Sequence, residues 1–297
     1  MLSALPMVWS VSFGLVLGLL VGSFLNVVIH RLPQGESIVS PGSRCPECQV
    51  SIRPWQNIPV FSYLWLRGRC GHCECRISPR YPLLELLTGV LFAAMAWRWG
   101  LTAQGLLFMA FTAALVAAAA IDFDLQIIPD EISLGGLAAG LLLSPLVQTL
   151  EAGVPYTPAV LQSVIGAFIG GGVLWSVGFL HARISVATGR TFPHWPGEGE
   201  SLPRPRDADY WLWFPGLGLG DVKLLAMIGA FVGPLGVIDT LLAASVVGLV
   251  VGVALGVFQR NWKTPFGFGP SIAGGAILVI ILPLHPLVVG SVGPVPG

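Results

Sequence analysis

Charge is what this sequence has least of. Asp, Glu, Lys and Arg make up only 10% of its 297 residues, against roughly 25% in a soluble domain. Hydrophobic residues reach 54% and the mean hydropathy is +0.80. Together these values exclude an ordinary soluble domain and point to a membrane protein. A charged n-region is also missing. The first basic residue is Arg31, beyond the first apolar run, so that run is expected to be a permanent helix rather than a cleavable signal peptide. No internal repeat and no G-x-G-x-x-G dinucleotide fingerprint is visible. The formal net charge of +0 says nothing about partners, and no nucleic-acid partner is expected. Cysteine is scarce too, with five in all, confined to positions 45–75.

Eight apolar runs lie near 8–29, 83–97, 104–121, 132–150, 160–181, 222–238, 241–258 and 271–289. Each is near the roughly 20 residues that span hydrocarbon. This predicts an all-α polytopic membrane protein with about eight transmembrane helices. Two runs are marginal. The second needs Glu85 at the interface, and the sixth is short and holds Gly233-Pro234, the mark of a broken or re-entrant helix. Orientation follows from the basic residues. With the N-terminus outside, every Arg and Lys except Arg98 falls on the cytoplasmic side. Asp122 and Asp221 then share the cytoplasmic end of their helices. Glycines four apart, as in Gly14/Gly18/Gly22, Gly136/Gly140, Gly166/Gly170 and Gly248/Gly252/Gly256, read as helix-packing faces.

Residues 31–82 form a polar, Pro- and Arg-rich cytoplasmic insertion that holds all five cysteines. Cys45-Pro-Glu-Cys48 and Cys70-Gly-His-Cys73 are two CxxC knuckles separated by 21 residues, the spacing of a zinc ribbon. Thiolates at i and i+3 of a tight turn reach one tetrahedral ion. The segment has too few apolar residues for a core of its own, and bound metal supplies on the order of 10–16 kcal/mol of folding free energy. A reducing cytosol argues against disulfides. Cys75 is left over, either as a free thiol or in place of Cys73, with His72 a weaker alternative.

Several acids stand near helix ends. Glu85 suits the start of the second helix by its charge alone. Asp130 follows Pro129 and reads as an N-cap. Asp122 and Asp124 are two apart, so on a helix they point to nearly opposite sides. Spacing does not say which faces the bundle, although Asp122 borders the apolar run. Asp221 follows Gly218 and Gly220, whose bare backbone lets a peptide come close. On the simplest account Asp221 caps a helix and Lys223 snorkels. A second acid at the same end of another helix changes the balance. A charge at a bilayer centre costs roughly 2.5–3.5 kcal/mol and is usually functional. Two carboxylates sharing a site cannot both ionise easily, so the pair holds a proton. One then activates water against a peptide carbonyl while the other protonates the carbonyl oxygen and the leaving amine. A proton-coupled transporter would also use such acids, with an internal repeat and acids at the midplane expected.

Three polar stretches complete the reading. Ser23, Asn26 and His30 share a face of the first helix, as interhelical glue or as part of a site. A long inner loop, about 182–217, carries Trp195, Trp211, Trp213 and Phe214 and is expected to lie partly on the membrane surface, with 197–209 mobile. Thr264 to Pro270 reads as a rigid turn.

Gly218-Leu-Gly-Asp221 resembles the GxGD motif of intramembrane-type aspartyl proteases, and Asp122 with Ile128-Pro129-Asp130 resembles that family's first aspartate. The stretch from Gly22 to Pro33, the paired knuckles, Arg80-Tyr-Pro-Leu-Leu-Glu85 and Phe268-Gly-Pro270 resemble the bifunctional bacterial type IV prepilin peptidases, in order along nearly the whole chain. The resemblance implies cleavage of the leader of type IV prepilins or type II secretion pseudopilins, after a Gly, at the cytoplasmic face of the inner membrane. It also implies methylation of the new N-terminus with S-adenosylmethionine. It assigns Asp122, not Asp124, to a catalytic dyad with Asp221, and Cys45, Cys48, Cys70 and Cys73 to a structural zinc. Glu85 is the candidate for methyl transfer, beside Asn26, His30 and Arg80. Two departures are the extra Cys75 and a loop longer than in relatives, about 182–216. The expected division is 1–82, the first helix with the zinc and methyltransferase-associated region, and 83–297, the membrane peptidase domain. The alternatives are a peptidase without methyltransferase activity and a proton-coupled transporter.

Overall fold

A computed structural model describes residues 6–190, 192, 202–259 and 267–282. Apart from isolated bridges, every regular element among the described residues is helical. The chain divides into two compact units at Ile121/Asp122.

The first unit holds α1 (Met7–Arg31), the short α2 (Phe61–Trp65), α3 (Arg80–Trp99) and most of α4 (Ala103–Leu125). α1 ends on His30 and Arg31, cations that suit the negative end of the helix dipole. It packs along α3 through its glycines. A Cβ on Gly18 would stand 2.6 Å from the Thr88 carbonyl oxygen, and one on Gly22 would stand 2.7 Å from the Glu85 Cα. The glycine stripe is thus a contact between two backbones, the packing expected of small residues four apart. α3 starts at Arg80, before the apolar run. Glu85 therefore lies in the second turn of the helix rather than its first, and it is buried.

The second unit holds the last turn of α4, then α5 (Asp130–Ala152), α6 (Tyr156–Ala187), the short α7 (Ala208–Leu212), α8 (Leu219–Gln259) and α9 (Gly269–Ile281). α8 is the centre of this unit and touches α5, α6 and α9. Gly166 and Gly229 meet backbone to backbone, and Gly140 accommodates the Phe231 ring, 2.8 Å from where a Cβ would stand.

The sixth and seventh apolar runs both fall on α8, 41 residues long. A straight helix of that length reaches about 60 Å, twice a hydrocarbon core of roughly 30 Å. The chain breaks it at Gly233, φ 72°, just before Pro234. Glycine supplies the positive φ, and proline removes an N–H and clashes with the preceding turn. Five helices among the described residues are long and apolar enough to cross a membrane by length and composition: α1, α4, α5, α6 and α8. α3 is not among them, and α9 is shorter within the described residues. The end of the eighth run lies outside them.

Candidate active site

Asp122 sits in the last turn of α4 and is buried, whereas Asp124 is exposed. The two-residue offset left that choice open, and the structure turns Asp122 inward. The Gly269 N–H, a free donor in the first turn of α9, donates to Asp122 Oδ2 at 3.2 Å. Carboxylates are favoured at such helix starts. The approach is possible only because the turn before α9 is bare. A Cβ on Gly267 would collide with the Asp122 carboxylate, and one on Gly269 would stand 2.7 Å from Oδ2. Sequence reasoning took 264–270 for a rigid turn and missed these two glycines as partners of Asp122. Residues 264–266 lie outside the described set.

Asp221 is the third residue of α8 and is also buried. Its N–H donates to the Gly218 carbonyl, and its Oδ1 has no hydrogen-bond partner among the described residues. Leaving a buried carboxylate oxygen unpaired is costly, and such groups call for a functional reason. Asp122 and Asp221 are near enough for the charge of one to bear on the other. The neighbouring cation does not neutralise either acid, because Lys223 Nζ lies 2.6 Å from Asp130 Oδ1. Pro129 takes the N-cap position of α5 and Asp130 is the first helical residue. Asp130 is therefore not an N-cap, and Lys223 pairs with it rather than reaching for headgroups alone.

The segment ahead of Asp221 is tied to α6. Phe214 is buried, and it fits because Gly178 has no side chain: a Cβ there would stand 2.7 Å from the Phe214 ring and 2.9 Å from Leu217 Cδ2. Phe214 and Leu217 form an isolated bridge around Gly216, φ 80°. Trp175 Nε1–H donates to the Trp211 carbonyl at 2.9 Å, and Phe179 stacks on Trp211 with centroids 5.3 Å apart. The Arg183 guanidinium lies 3.8 Å from the Tyr210 ring centre. Much of the expected loop is therefore ordered structure. α6 runs on to Ala187, and residues 208–212 form α7. Trp195 and residues 197–201 lie outside the described set.

The four cysteines of the two knuckles bring their sulfurs within 4.8 Å of one another. A tetrahedral zinc with bonds of about 2.3 Å sets its sulfurs about 3.8 Å apart. Cys45 and Cys73 stand at 3.8 Å, so the donor set fits such an ion. The knuckles are built alike. Cys45 N–H donates to Val50 O at 3.0 Å, and Cys70 N–H to Cys75 O at 2.9 Å. Arg44 bridges Ser51, as Arg69 bridges Arg76. Gln49 and Glu74 both take positive φ. Cys75 thus occupies the place of Val50, outside the repeated ligand positions, although its sulfur is 3.6 Å from that of Cys45. The Cys48 N–H, helped by that of Glu47, pulls the Cys45 thiol down to about 6 against its burial. The sulfurs of Cys73 and Cys45 push Cys75 up to about 12. His72 is outside the cluster.

Glu85 is 8% exposed. Its Oε2 accepts from the Val60 N–H at 2.7 Å. Val60 is a β-branched residue at φ 61°, a conformation that costs on the order of 1–3 kcal/mol and needs its surroundings to hold it. Asn26 Nδ2 donates to the Tyr81 carbonyl at 3.3 Å and so ties α1 to α3. His30 and Arg80 are exposed.

Residues 16–99 match the family model described as the bacterial peptidase A24 N-terminal domain, and residues 109–253 match the type IV leader peptidase family. A prepilin leader peptidase/N-methyltransferase of Neisseria gonorrhoeae is 37% identical over 292 residues, covering 89% of this chain and 87% of that protein. The chain belongs to the type IV leader peptidase family. Proteins of the same description from Pseudomonas putida (37% identical, 91% of this chain and 90% of the relative) and Stutzerimonas stutzeri (38%, 87% and 86%) are similar over the same span. No solved structure matches the chain. With its apolar helices, this leader peptidase family member is a multi-pass membrane protein. The first family match contains the cysteines, Ser23 and Glu85, and the second contains both aspartates. Gly267 and Gly269 lie beyond it.

Proposed function

We propose that this protein cleaves the leader peptide of type IV prepilins or type II secretion pseudopilins with Asp122 and Asp221, and methylates the amine so released. The observation that carries the reading is a pair of buried carboxylates within electrostatic reach, one with an unpaired buried oxygen. A single proton shared by the pair leaves one carboxylate as base and the other as acid. The base takes a proton from water as its oxygen attacks the scissile carbonyl. The acid protonates the carbonyl oxygen and then the departing amine. The Gly269 N–H keeps the Asp122 carboxylate in place, and the bare backbone at Gly218 and Gly220 leaves room for an extended peptide. The arginine distribution supports a dyad facing the cytoplasm, in the inner membrane, with the N-terminus outside.

Cys45, Cys48, Cys70 and Cys73 would hold a structural zinc that supplies folding free energy to the insertion. Cys75 stays a thiol. S-adenosylmethionine supplies the methyl group when bound. The acceptor amine must be neutral to react, and an unperturbed α-amine, pKa about 7.7–8.0, leaves a usable neutral fraction near pH 7. Glu85 takes up its proton. The decisive experiment is cleavage of a prepilin in membranes carrying Asp122→Asn or Asp221→Asn. Each should abolish cleavage with the protein still inserted. Full cleavage by either variant would refute the dyad.

A further inference from the structure

The second cysteine knuckle carries a charge that the first does without. Arg69 and Arg76 face each other across it, flanked by the Ile77 N–H bond to Gly68 O at 2.8 Å and the Cys70 N–H bond to Cys75 O at 2.9 Å. Bonds on either side make them a non-hydrogen-bonded antiparallel pair, the closer of the two kinds, with Cα atoms about 4.5 Å apart. Like charges directly opposite in this way repel. The first knuckle makes the same bridge between Arg44 and Ser51, so the turn itself asks for only one arginine. Arg67, two residues before Arg69, takes φ 51°, a left-handed conformation usually left to glycine or asparagine. None of these three guanidinium groups has a hydrogen bond or ion pair among the described residues. All three line a cavity of about 550 Å³, together with Tyr63, Ser78 and Pro79, and the lining holds no acid and no cysteine. The Tyr63 hydroxyl donates to the Ile77 carbonyl at 3.5 Å, and Gly68 makes room for it, since a Cβ there would stand 2.9 Å from Tyr63 Oη. Ser78 Oγ accepts from the Arg80 N–H at 3.3 Å, which leaves the hydroxyl proton for a ligand.

We propose that this cavity binds a phosphate group, held by Arg67, Arg69 and Arg76. The proposal depends on neither the aspartate dyad nor methyl transfer. A guanidinium is planar, always charged and shaped to give two parallel N–H···O bonds to phosphate. An anion seated between Arg69 and Arg76 turns the repulsion of that pair into attraction, which accounts for a second arginine where the first knuckle has Ser51. A cation such as a sulfonium methyl donor is disfavoured by the same lining. The volume lies within the roughly 300–1,000 Å³ of ligand sites, so phosphate fits as part of a larger molecule as well as alone. The surroundings admit two sources. Pro79 directly precedes α3, whose Leu83, Leu86 and Leu87 are exposed, and Tyr63 belongs to α2, whose Phe61, Leu64 and Trp65 are exposed. Exposed apolar and aromatic side chains beside a basic cavity suit the boundary between hydrocarbon and headgroups, where an anionic phospholipid presents its phosphate. A soluble phosphate compound reaches the same arginines from the water side.

The test is thermal melting of the full-length protein in phosphatidylcholine nanodiscs at constant ionic strength, since a ligand of the folded form raises the melting temperature. Two probes are added separately: inorganic phosphate in solution, and phosphatidylglycerol built into the disc. At least one should raise the melting temperature saturably. A rise with phosphatidylglycerol alone identifies a lipid headgroup, and a rise with inorganic phosphate shows that free phosphate suffices. The half-saturating concentration should increase about tenfold in Arg76→Ser and in Arg67→Asn, each of which loses one charged hydrogen-bond donor. Arg44→Ser removes the same charge at the matching place in the first knuckle and should respond as the unaltered protein does. Without either probe, Arg76→Ser should melt no lower than the unaltered protein, because a repulsive pair is gone. Should it melt early, Arg67→Asn, outside both knuckles, decides alone. No rise with either probe in the unaltered protein overturns the proposal, as does unchanged half-saturation in Arg67→Asn. Equal or tighter saturation by an acidic peptide free of phosphate overturns it in favour of a protein partner.

Discussion

Gly269→Ala isolates the part of the site that holds Asp122. The substitution adds one methyl group and keeps the N–H that donates to Oδ2. The new Cβ would stand 2.7 Å from Oδ2 and 3.0 Å from Cγ, where ordinary contact begins at 3.4 Å. The carboxylate must therefore retreat by about 0.7 Å, or α9 must shift. Misplacing a catalytic group by about 1 Å costs on the order of 10²-fold, so kcat should fall roughly 10- to 100-fold. KM should change little, because no peptide contact is removed. Gly135→Ala is the control. Nothing lies within 4 Å of its Cβ, and alanine gains roughly 0.5–1 kcal/mol over glycine inside a helix. The assay is steady-state cleavage of a prepilin in detergent, with a thermal melt on each variant. A Gly269→Ala enzyme with unaltered kcat would refute the claim that this glycine positions Asp122. A loss of kcat accompanied by an equal loss of melting temperature would place the effect on the fold instead.

Asp124→Ala and Asp130→Ala should keep substantial cleavage, and the exposed Asp130–Lys223 pair should be worth less than about 1 kcal/mol in a melt. Complete loss in Asp124→Ala would move the dyad. Purified protein should carry about one zinc per chain by elemental analysis. Cys45→Ser or Cys48→Ser should release it and Cys75→Ser should not, and metal retained in Cys73→Ser but lost in Cys75→Ser would exchange those two ligands. Glu85→Gln should yield cut but unmethylated pilin by mass spectrometry of the mature N-terminus. A fully methylated product would remove Glu85 from the mechanism. Phe214→Ala should cost roughly 3–5 kcal/mol, as for other buried aromatics, and slow cleavage by loosening the segment that leads into Asp221. A melt within 1 kcal/mol of the unaltered protein would show that the Gly178 notch does not anchor it.

Much of this was legible in the chain, for identifiable reasons. Low charge and long apolar runs fix the class because lipid tolerates little else. The CxxC spacing fixes a cluster because two short turns suffice to aim four sulfurs. Helix boundaries were less legible, since a helix at a membrane surface continues past its apolar run while its backbone bonds remain satisfied. α3 and α6 both do so, and that is why Glu85 is inside a helix and part of the long loop belongs to α6. Tertiary partners were not legible at all. Asp122 and Asp124 differ in burial through the rotation of one helix against its neighbours, which a two-residue offset does not encode. Ser23 was visible as a polar residue on a helical face, but that Gly22 beside it lies against Glu85 of α3 has no local signal. Pairing of Asp130 with Lys223, 93 residues apart, has no local signal.

The two aspartates are held in different ways, and the difference decides which substitutions report on chemistry. Asp221 stands at the start of a segment of α8 whose Leu224, Leu225, Met227 and Ile228 are fully buried. Gly170 lies against the Leu225 carbonyl, Gly166 against Gly229, and Gly136 against the Met227 sulfur. A site carried on a packed helix inherits that helix's rigidity, so Asp221 moves only if α8 moves. Substituting Gly166 or Gly170 would push backbones apart and act on stability first. Asp122 is in the last turn of α4, just before Gln126 takes φ 55°. Among the described residues its carboxylate is held by one N–H, that of Gly269, and by the two missing side chains around it. The Gly267–Gly269 turn is therefore where a small steric change should alter catalysis ahead of folding.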